Sequence, residues 1–438
     1  MASSLTGNSV SQTAEVLIVG AGPVGLYVAL RLGQAGISVK VFEKESAIST
    51  ESRALGYYGG SLIALDRARV LEKAIAMGFT SFGVCWRKQT ADKAANVRRL
   101  GDIIAKLQIP KSQDESPIGQ TSTLLLQQCK LAQLLHDEAL ATGFVSISFE
   151  AELTALQDVG DSVVATFTNP SNGAIRQHQA PYLIGADGGR SSTRKLIGIP
   201  FKGHSWAERL VAINVKFATP AGEDMSCPTA FIVHPIHFGL ISPLEPFEVG
   251  KKTLYRVVIA VHPEDTRSDE DISSMENAIN ICESTIPGPR PLEYEIVQVT
   301  PYRTHQLCAS TFRRGRCVLA GDAAHLNNPF GAMGLTSGLL DGEALADTLE
   351  LVINENHDPE LLSVYSSERS RIFQTFIDPT TTWNKLRCAA DPETASEDWA
   401  LQMLIKRPHE MKNYGIHFFS SWRTDMRSLI AKEAAESL

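Results

Sequence analysis

The chain has 438 residues, of which 43% are hydrophobic and 21% charged, a composition typical of globular proteins and unlike that of disordered ones. The formal net charge is −8, which argues against a general nucleic-acid surface because phosphate binding requires clustered Lys and Arg. The seven cysteines form no C-x-x-C pair, which argues against a disulfide framework and predicts a reducing, cytoplasmic location. No apolar run reaches about 18 residues and residues 1–14 are polar, so we expect neither a membrane span nor a secretory signal.

A cluster of glycines near the start of the chain carries the first functional signal. Residues 15–19 form a short β-branched apolar run typical of a buried parallel strand, which leads into Gly20, Gly22 and Gly25. In this G-x-G-x-x-G spacing the first glycine permits a tight turn and the second lets the backbone approach a pyrophosphate. The third lets the following helix pack closely, with its N-terminus towards the phosphates.

The elements after the glycines complete a β-α-β unit. Residues 26–35 have helical composition and stop near Gly36, and residues 38–42 predict a second strand that ends at Glu43. A carboxylate at the end of that strand can accept the hydroxyl groups of a ribose. The unit therefore predicts dinucleotide binding, with NAD and FAD both open.

The strand type changes along the rest of the chain. Residues 201–300 alternate apolar and polar positions between prolines, as in a half-exposed antiparallel sheet, and the chain after Pro379 has helical composition. The other predicted elements are a helix over 61–77, an exposed loop over 112–119, a helix over 124–141, strands over 145–149, 163–168, 182–184 and 317–320, and a helix over 336–352.

This pattern predicts an α/β fold with a Rossmann-like dinucleotide-binding domain, an inserted antiparallel β-sheet domain and a helical C-terminal segment. The predicted boundaries are 14–80, 120–200 and 301–378 for the dinucleotide-binding domain, 81–119 and 201–300 for the inserted substrate-binding domain, and 379–438 for the C-terminal segment.

Two later motifs distinguish between the dinucleotides. Asp187-Gly188 follows one predicted buried strand, and Gly321-Asp322 follows another and precedes a glycine-rich loop over 329–334. A carboxylate at Asp322 can bond a sugar-alcohol chain. The amides where the loop opens a helix form a partly positive nest, which stabilises negative charge on a reduced flavin.

These three motifs, in this order, resemble those of the single-component FAD-dependent aromatic hydroxylases, flavoprotein monooxygenases of the p-hydroxybenzoate hydroxylase fold. The resemblance covers about residues 14–378. It implies a noncovalently bound FAD, NADPH or NADH as electron donor and O₂ as cosubstrate. A flavin C4a-hydroperoxide would deliver one oxygen atom to an electron-rich phenolic, polyketide or indole-type substrate of secondary metabolism. The FAD contacts that it implies are Gly20, Gly22, Gly25, Glu43, Arg53, Gln128, Asp187, Asp322, Pro329, Gly331, Gly334 and Leu335.

The antiparallel region resembles the substrate strands of the benzoate enzyme, with departures. The match puts Phe231 where that enzyme has its phenol-activating tyrosine, and Leu244 where it has the arginine that pairs with the substrate carboxylate. Since a buried carboxylate without a cation is costly, we expect a larger, less charged aromatic substrate and another activating group. The catalytic candidates are Arg256, Tyr255, His237 and His234, and the candidate substrate contacts are Phe231, Phe238, Ser242, Leu244 and Pro329.

Other functions remain open on the same scaffold. Epoxidation and Baeyer–Villiger oxidation are the main alternatives to hydroxylation, whereas a flavin halogenase lacks support because its Gly-Trp-x-Trp-x-Ile-Pro motif is missing. A non-catalytic prenyl-protein carrier fits poorly with the intact Asp187-Gly188 motif. No His/Cys/Asp cluster has metal-ligand spacing, so we expect no metal, and we expect a monomer or homodimer.

Overall fold

A computed structural model describes residues 11–12, 14–51, 54–81, 83–94, 96–108, 123–408, 410, 418 and 421–436. Arg53 and the loop predicted over 112–119 therefore lie outside the described residues. None of the described helices combines the length and the apolar character needed to cross a lipid bilayer.

The described strands are β1 (Ser11–Gln12), β2 (Val16–Val19), β3 (Val39–Phe42), β4 (Gly56–Tyr58), β5 (Phe79–Ser81), β6 (Gly83–Arg87), β7 (Ala91–Ala94), β8 (Val97–Arg99), β9 (Ile103–Gln108), β10 (Thr123–Leu125), β11 (Val145–Ser148), β12 (Glu152–Asp158), β13 (Val163–Thr168), β14 (Ile175–Ala180), β15 (Tyr182–Gly185), β16 (Phe201–Ala218), β17 (Thr229–Ile232), β18 (Gly239–Pro243), β19 (Lys252–Val261), β20 (Gly288–Pro289), β21 (Tyr294–Ala309), β22 (Arg313–Arg314), β23 (Cys317–Leu319) and β24 (His325–Leu326).

The described α-helices are α1 (Pro23–Gln34), α2 (Gly60–Arg67), α3 (Leu71–Met77), α4 (Gln128–Ala141), α5 (Ser192–Leu196), α6 (Asp269–Ile272), α7 (Met275–Thr285), α8 (Met333–Asn354), α9 (Leu361–Ile372), α10 (Asp378–Cys388), α11 (Trp399–Lys406) and α12 (Met426–Glu436). Short 3₁₀ turns occur at Gly321–Ala323 and Ala395–Glu397, and a π-helical turn at Phe373–Ile377 joins α9 to α10.

A six-stranded sheet in the order β11-β3-β2-β15-β23-β22 forms the dinucleotide-binding half. All its pairs are parallel except the β22–β23 edge. The central strands are short apolar runs that are buried along their whole length, as parallel strands covered on both faces require. Helix α1 packs against α4 and α8 beside this sheet. This arrangement confirms the predicted α/β fold.

An eight-stranded sheet in the order β24-β21-β16-β19-β18-β17-β6-β9 forms the second half. Its pairs are antiparallel except β17–β6, so the antiparallel sheet predicted for the middle of the chain is present and also recruits β6 and β9. One face packs against α7 through buried residues such as Ile213, Val257 and Cys282. The other face borders the functional cleft. The domain boundaries themselves stay a prediction.

Two predicted helices differ from the observed elements. The helix predicted over 61–77 is broken into α2 and α3, because Arg69 adopts a left-handed conformation with φ of 59°. The helix predicted over 124–141 begins only at Gln128, since Leu124 and Leu125 pair in β10 with β4 and β5. Tertiary strand pairing overrides helical composition at the second position.

Three smaller sheets complete the described fold. They are a four-stranded sheet in the order β1-β14-β13-β12, a three-stranded sheet β4-β10-β5 and a three-stranded sheet β20-β8-β7.

Candidate functional site

A cleft of about 2540 Å³ runs between the two large sheets. It is lined by the loops that follow β2, β3, β15 and β23, and by one face of the eight-stranded sheet. Ligands of open parallel sheets bind at this edge, beyond the carboxyl ends of the strands. The volume exceeds the roughly 300–1,000 Å³ of a drug-sized pocket, so the cleft has space for a dinucleotide and a second ligand.

The glycine cluster between β2 and α1 has the geometry of a phosphate cradle. Gly20 has φ of 104°, and a Cβ atom there would lie 2.4 Å from the Ala186 carbonyl oxygen. At Gly25 a Cβ would lie 2.1 Å from the Gly20 carbonyl oxygen, whereas a Cβ on Gly22 would meet nothing within 4 Å. The space above Gly22, at the N-terminus of α1, is therefore free for an anionic group.

Glu43 and Gln128 both line the cleft. The carboxylate of Glu43 accepts a hydrogen bond from the Ala21 amide at 2.8 Å, which places it directly beside the glycine turn. The side-chain oxygen of Gln128 accepts from the Ala54 amide at 2.9 Å. Gln127 points elsewhere and donates to the Leu244 carbonyl at 3.3 Å. Of these two neighbouring glutamines, Gln128 is the one that lines the cleft.

The two acidic motif residues differ in their surroundings, although both line the cleft. The Asp187 carboxylate accepts from the Ser191 hydroxyl at 2.6 Å and the Thr193 amide at 2.9 Å, and so holds the turn that starts α5. Asp322 is exposed to the cleft within a 3₁₀ turn after β23. Asp322 is therefore placed to meet a ligand, whereas Asp187 mainly shapes the loop that borders one.

The glycine-rich loop before α8 forms another part of the cleft lining. Gly331 has φ of 106° and Ala332 has φ of 53°, so the chain turns sharply just before the helix begins at Met333. The hydroxyl of Tyr58 donates to the Gly331 carbonyl at 2.5 Å. Pro329, Gly331, Gly334 and Leu335 all line the cleft. Helix α8 therefore directs its first amides, which lack partners within the helix, towards the cleft.

Together these residues fit FAD. The open space above Gly22 suits a diphosphate, and the Glu43 carboxylate beside it suits a ribose. The start of α8 provides the partly positive amides that a reduced flavin ring requires.

An apolar row crosses the cleft face of the eight-stranded sheet. Phe231, Leu240, Val258 and Ala212 are neighbours on β17, β18, β19 and β16, and all four line the cleft. Trp86 on β6 extends the row, with its ring centroid 5.5 Å from that of Phe231. A flat apolar surface of this kind suits the face of an aromatic ring.

A polar row runs beside it, two residues further along each strand. The Thr229 and Ser242 hydroxyls are 2.8 Å apart, and Arg256 Nε donates to Asn214 Oδ1 at 3.0 Å. Asn214 Nδ2 in turn donates to Gln298 Oε1 at 3.0 Å. All five residues line the cleft. Asn214 orients Arg256 and is itself oriented by Gln298.

Arg256 is a desolvated cation in this cleft. Burial lowers the pKa of its guanidinium, and the neighbouring Tyr302 and Cys129 act in the opposite direction. Burial also raises the pKa of Tyr302, which Arg256 partly offsets. An arginine keeps its charge at neutral pH, so this position favours an anionic oxygen on a bound ligand.

Two of the candidate site residues, one catalytic and one for substrate contact, lie next to these rows but outside the cleft lining. Tyr255 is 1% exposed on the opposite face of β19, where its hydroxyl bonds Thr219 at 2.8 Å and its ring stacks on Phe217. Phe238 is 1% exposed, and its ring centroid lies 5.4 Å from that of Phe330 in the loop before α8. Successive strand residues point to opposite faces, so Arg256 at the cleft excludes Tyr255 from it.

Three further candidates lie outside the cleft lining. Leu244 is buried, with 3% exposure, and its carbonyl accepts from Gln127. His234 Nδ1 accepts from the Ile236 amide at 3.1 Å and the His237 amide at 2.9 Å, which makes it a turn residue. His237 Nδ1 lies 3.1 Å from the Ala260 carbonyl. Their side chains serve the turn and the core.

We expect His234→Ala to change the stability of the protein while leaving its activity nearly intact. Losing two hydrogen bonds of this partly exposed turn should lower the free energy of unfolding by about 1 kcal/mol, while kcat/KM stays within about twofold. Burial and the neighbouring His237 lower the pKa of His234, so the folded state disfavours the protonated ring. Its contribution is present above the unfolded pKa of about 6.5 and is lost as pH falls below it.

Chemical denaturation of wild type and variant between pH 5 and pH 8 checks this expectation, because the variant should lose less stability on acidification. A large fall in kcat/KM without a loss of stability would instead return His234 to the catalytic site.

Sequence reasoning missed several residues of the cleft. Trp86, Gln298 and Tyr302 line its sheet face, and Trp383 and Trp399 line it from the C-terminal segment. Period-two alternation with Arg256 could have suggested the sheet residues, had the strand pairing been known. The tryptophans follow no local pattern, since α10 and α11 reach the cleft only through tertiary packing. Among the described residues, no group of three or more His, Cys, Asp or Glu side chains could hold a metal ion.

Comparisons with known proteins identify the relatives of this chain. A family model described as "FAD binding domain" matches residues 13–380. The chain is 33% identical over 381 residues to para-nitrophenol 4-monooxygenase of Pseudomonas sp. strain WBC-3, covering 84% of this chain and 86% of the relative. It is 30% identical over 379 residues to 6-hydroxy-3-succinoylpyridine 3-monooxygenase HspB of Pseudomonas putida strain DSM 28022 / S16, covering 85% and 88%.

A solved structure shows the same fold over nearly the whole chain. The crystal structure of p-nitrophenol 4-monooxygenase PnpA from Pseudomonas putida DLL-E4 superposes with a TM-score of 0.80 at 31% identity, covering 93% of this chain and 98% of that one. The chain belongs to the family of FAD-dependent aromatic hydroxylases and is an FAD-dependent monooxygenase.

Proposed function

We propose that the protein uses NADPH, or NADH, and O₂ to add one oxygen atom to an aromatic substrate that carries an acidic hydroxyl group. The observation that carries this proposal is the paired arrangement on the cleft face of the eight-stranded sheet. An apolar row for a ring lies next to a polar row that contains Arg256. The names of two relatives, which act on a nitrophenol and on a hydroxypyridine, support an acidic hydroxyl on the ring.

FAD would be held noncovalently by Gly20, Gly22, Gly25, Glu43, Gln128, Asp322 and the loop before α8, with Asp187 shaping the neighbouring turn. When bound and reduced, it supplies the activation of O₂ for oxygen transfer. Arg53 stays a candidate contact from the sequence alone.

The chain's own residues have three tasks in this proposal. Arg256 stabilises the substrate oxygen as an anion, which lowers the pKa of the hydroxyl and makes the ring more electron-rich. Asn214 holds the guanidinium of Arg256 in place by accepting a hydrogen bond from its Nε atom. Phe231, Leu240 and Val258 cover one face of the ring and exclude water from the place where oxygen transfer occurs.

Oxygen transfer is tested by single-turnover mass spectrometry under ¹⁸O₂ with phenols, polycyclic phenols, indoles and the methyl ethers of the same phenols. We expect phenols to gain one ¹⁸O atom and their methyl ethers to react poorly, because an ether cannot form the anion that Arg256 stabilises. Oxygen placed on an isolated alkene or beside a ketone would replace phenol hydroxylation by epoxidation or Baeyer–Villiger oxidation. No product with ¹⁸O across the panel would overturn the proposal.

The electron donor is tested separately by stopped-flow absorbance of the bound flavin with NADPH and with NADH. We expect bleaching by at least one nucleotide, faster in the presence of substrate. The absence of bleaching with either would show that a separate reductase supplies the electrons.

A further inference from the structure

A fully buried carboxylate holds the turn that presents Asp322. Asp341 on α8 has no solvent exposure, and its Oδ2 accepts from the Gly321 amide at 3.0 Å. The same oxygen lies 2.7 Å from His325 Nε2. Gly321 and His325 lie on either side of Asp322 in the chain, so one carboxylate oxygen of Asp341 links the two ends of the turn.

The turn is also confined from the side of α1. Gly321 has φ of 61°, and a Cβ atom there would lie 3.0 Å from Val24 Cγ2. Val24 belongs to the first turn of α1, next to the glycine cradle. The Gly321 backbone is therefore fixed between the helix that borders the diphosphate position and the helix that carries Asp341.

The second oxygen of Asp341 links this turn to the C-terminal segment. Asp341 Oδ1 accepts from Arg369 Nε at 2.7 Å. Arg369, 1% exposed, donates through Nη1 to the Trp422 carbonyl at 2.7 Å and lies 3.3 Å from Thr424 Oγ1. Residues 422–424 lie beyond the stretch that the family model matches, yet they contact the ion pair that holds the Asp322 turn.

The segment around Trp422 also contacts Tyr58, which holds the loop before α8. The Trp422 ring, buried with 0% exposure, lies 5.7 Å from the ring of Tyr58. The Tyr58 hydroxyl donates to the Gly331 carbonyl at 2.5 Å. One short stretch of chain thus supports the Asp322 turn through Arg369 and Asp341, and the loop before α8 through Tyr58.

An ion pair buried to this degree is a weak stability device, because desolvating both charges offsets most of their attraction. Its geometry is nevertheless restricted, since each lost contact would leave a buried charge with one partner fewer. We propose that Asp341 and Arg369 are positioning residues of the FAD site, which fix the Asp322 turn and connect it to the segment around Trp422. The proposal rests on the assignment of Asp322 to FAD made above.

The test compares Asp341→Asn with Asp347→Asn in the purified full chain. Asp347 is a matched control, because it lies on the same helix with the same 0% exposure, but its carboxylate accepts from Arg67 at 2.7 Å and from Arg31 at 3.1 Å. Both variants should lower Tm. Only Asp341→Asn should weaken FAD binding, by at least about tenfold in Kd, and change the midpoint potential and visible spectrum of the bound flavin.

Arg369→Lys provides a second variant that keeps the charge but removes the planar fork that joins Asp341 to the Trp422 carbonyl. It should weaken FAD binding less than Asp341→Asn does. In the double variant Asp341→Asn with Asp322→Asn, the loss should be smaller than the product of the single losses, because both act on the same turn.

Wild-type values of Kd, potential and spectrum in Asp341→Asn and Arg369→Lys would overturn the positioning role. An equal loss of FAD affinity in Asp347→Asn would do the same, since it would indicate general destabilisation. If the wild-type chain binds FAD and Asp322→Asn binds it equally well, the assignment of Asp322 fails, and this outcome is separate from the first two.

Discussion

Gly22→Ala is expected to abolish tight FAD binding while leaving the apoprotein as stable as wild type. A Cβ atom at Gly22 would meet no protein atom within 4 Å, and the backbone there has φ of −73° and ψ of 171°, which alanine adopts readily. The added methyl group would instead occupy the space of the diphosphate. Losing two charge-assisted hydrogen bonds to the helix amides costs about 3 kcal/mol, or a rise in Kd of about 100-fold.

Gly25→Ala provides the contrast. A Cβ atom there would lie 2.1 Å from the Gly20 carbonyl oxygen, so the turn or the helix must shift and the apoprotein itself should lose stability. FAD titration of the apoproteins by fluorescence quenching and thermal melting of the same samples separate the two effects. An unchanged Kd in Gly22→Ala would remove the glycine turn from the FAD site.

Arg256→Met should have the largest effect on turnover among the sheet residues. It removes the cation that stabilises the substrate oxygen while keeping an unbranched side chain. Loss of a charged hydrogen bond in a desolvated site costs about 2–5 kcal/mol, so we expect kcat/KM for the phenol substrate to fall about 30- to 5,000-fold. NAD(P)H oxidation should continue with peroxide as the product, because a misplaced ring does not accept the oxygen atom.

Tyr255→Phe is the matched control on the same strand. Its hydroxyl faces Thr219 on the other side of the sheet, so kcat/KM should stay within about twofold of wild type. The pH profile gives a second readout, because without Arg256 the substrate hydroxyl ionises nearer its own pKa and activity should move to higher pH. If Arg256→Met retains wild-type coupling and pH profile, Arg256 does not contact the substrate oxygen.

The FAD half of the site could be predicted because its signals are local. Gly20, Gly22 and Gly25 act within one contiguous β-α-β unit, where a turn, a helix start and a strand end are all set by neighbours in sequence. The same holds for the turn after β23, where the positive φ of Gly321 favours glycine. Hence the sequence by itself determined the fold class, the dinucleotide edge of the parallel sheet and the family.

The substrate half depended on the tertiary structure. Alternation along β19 shows that Tyr255 and Arg256 point in opposite directions, but only the packing of α7 on one face decides which of them reaches the cleft. Asn214 becomes a neighbour of Arg256, 42 positions away in sequence, through the register of β16 and β19, and of Gln298, 84 positions away, through the register of β16 and β21. A tight turn carries its own geometry in a few residues, whereas the direction in which a strand residue faces is set by whatever distant segments cover the sheet.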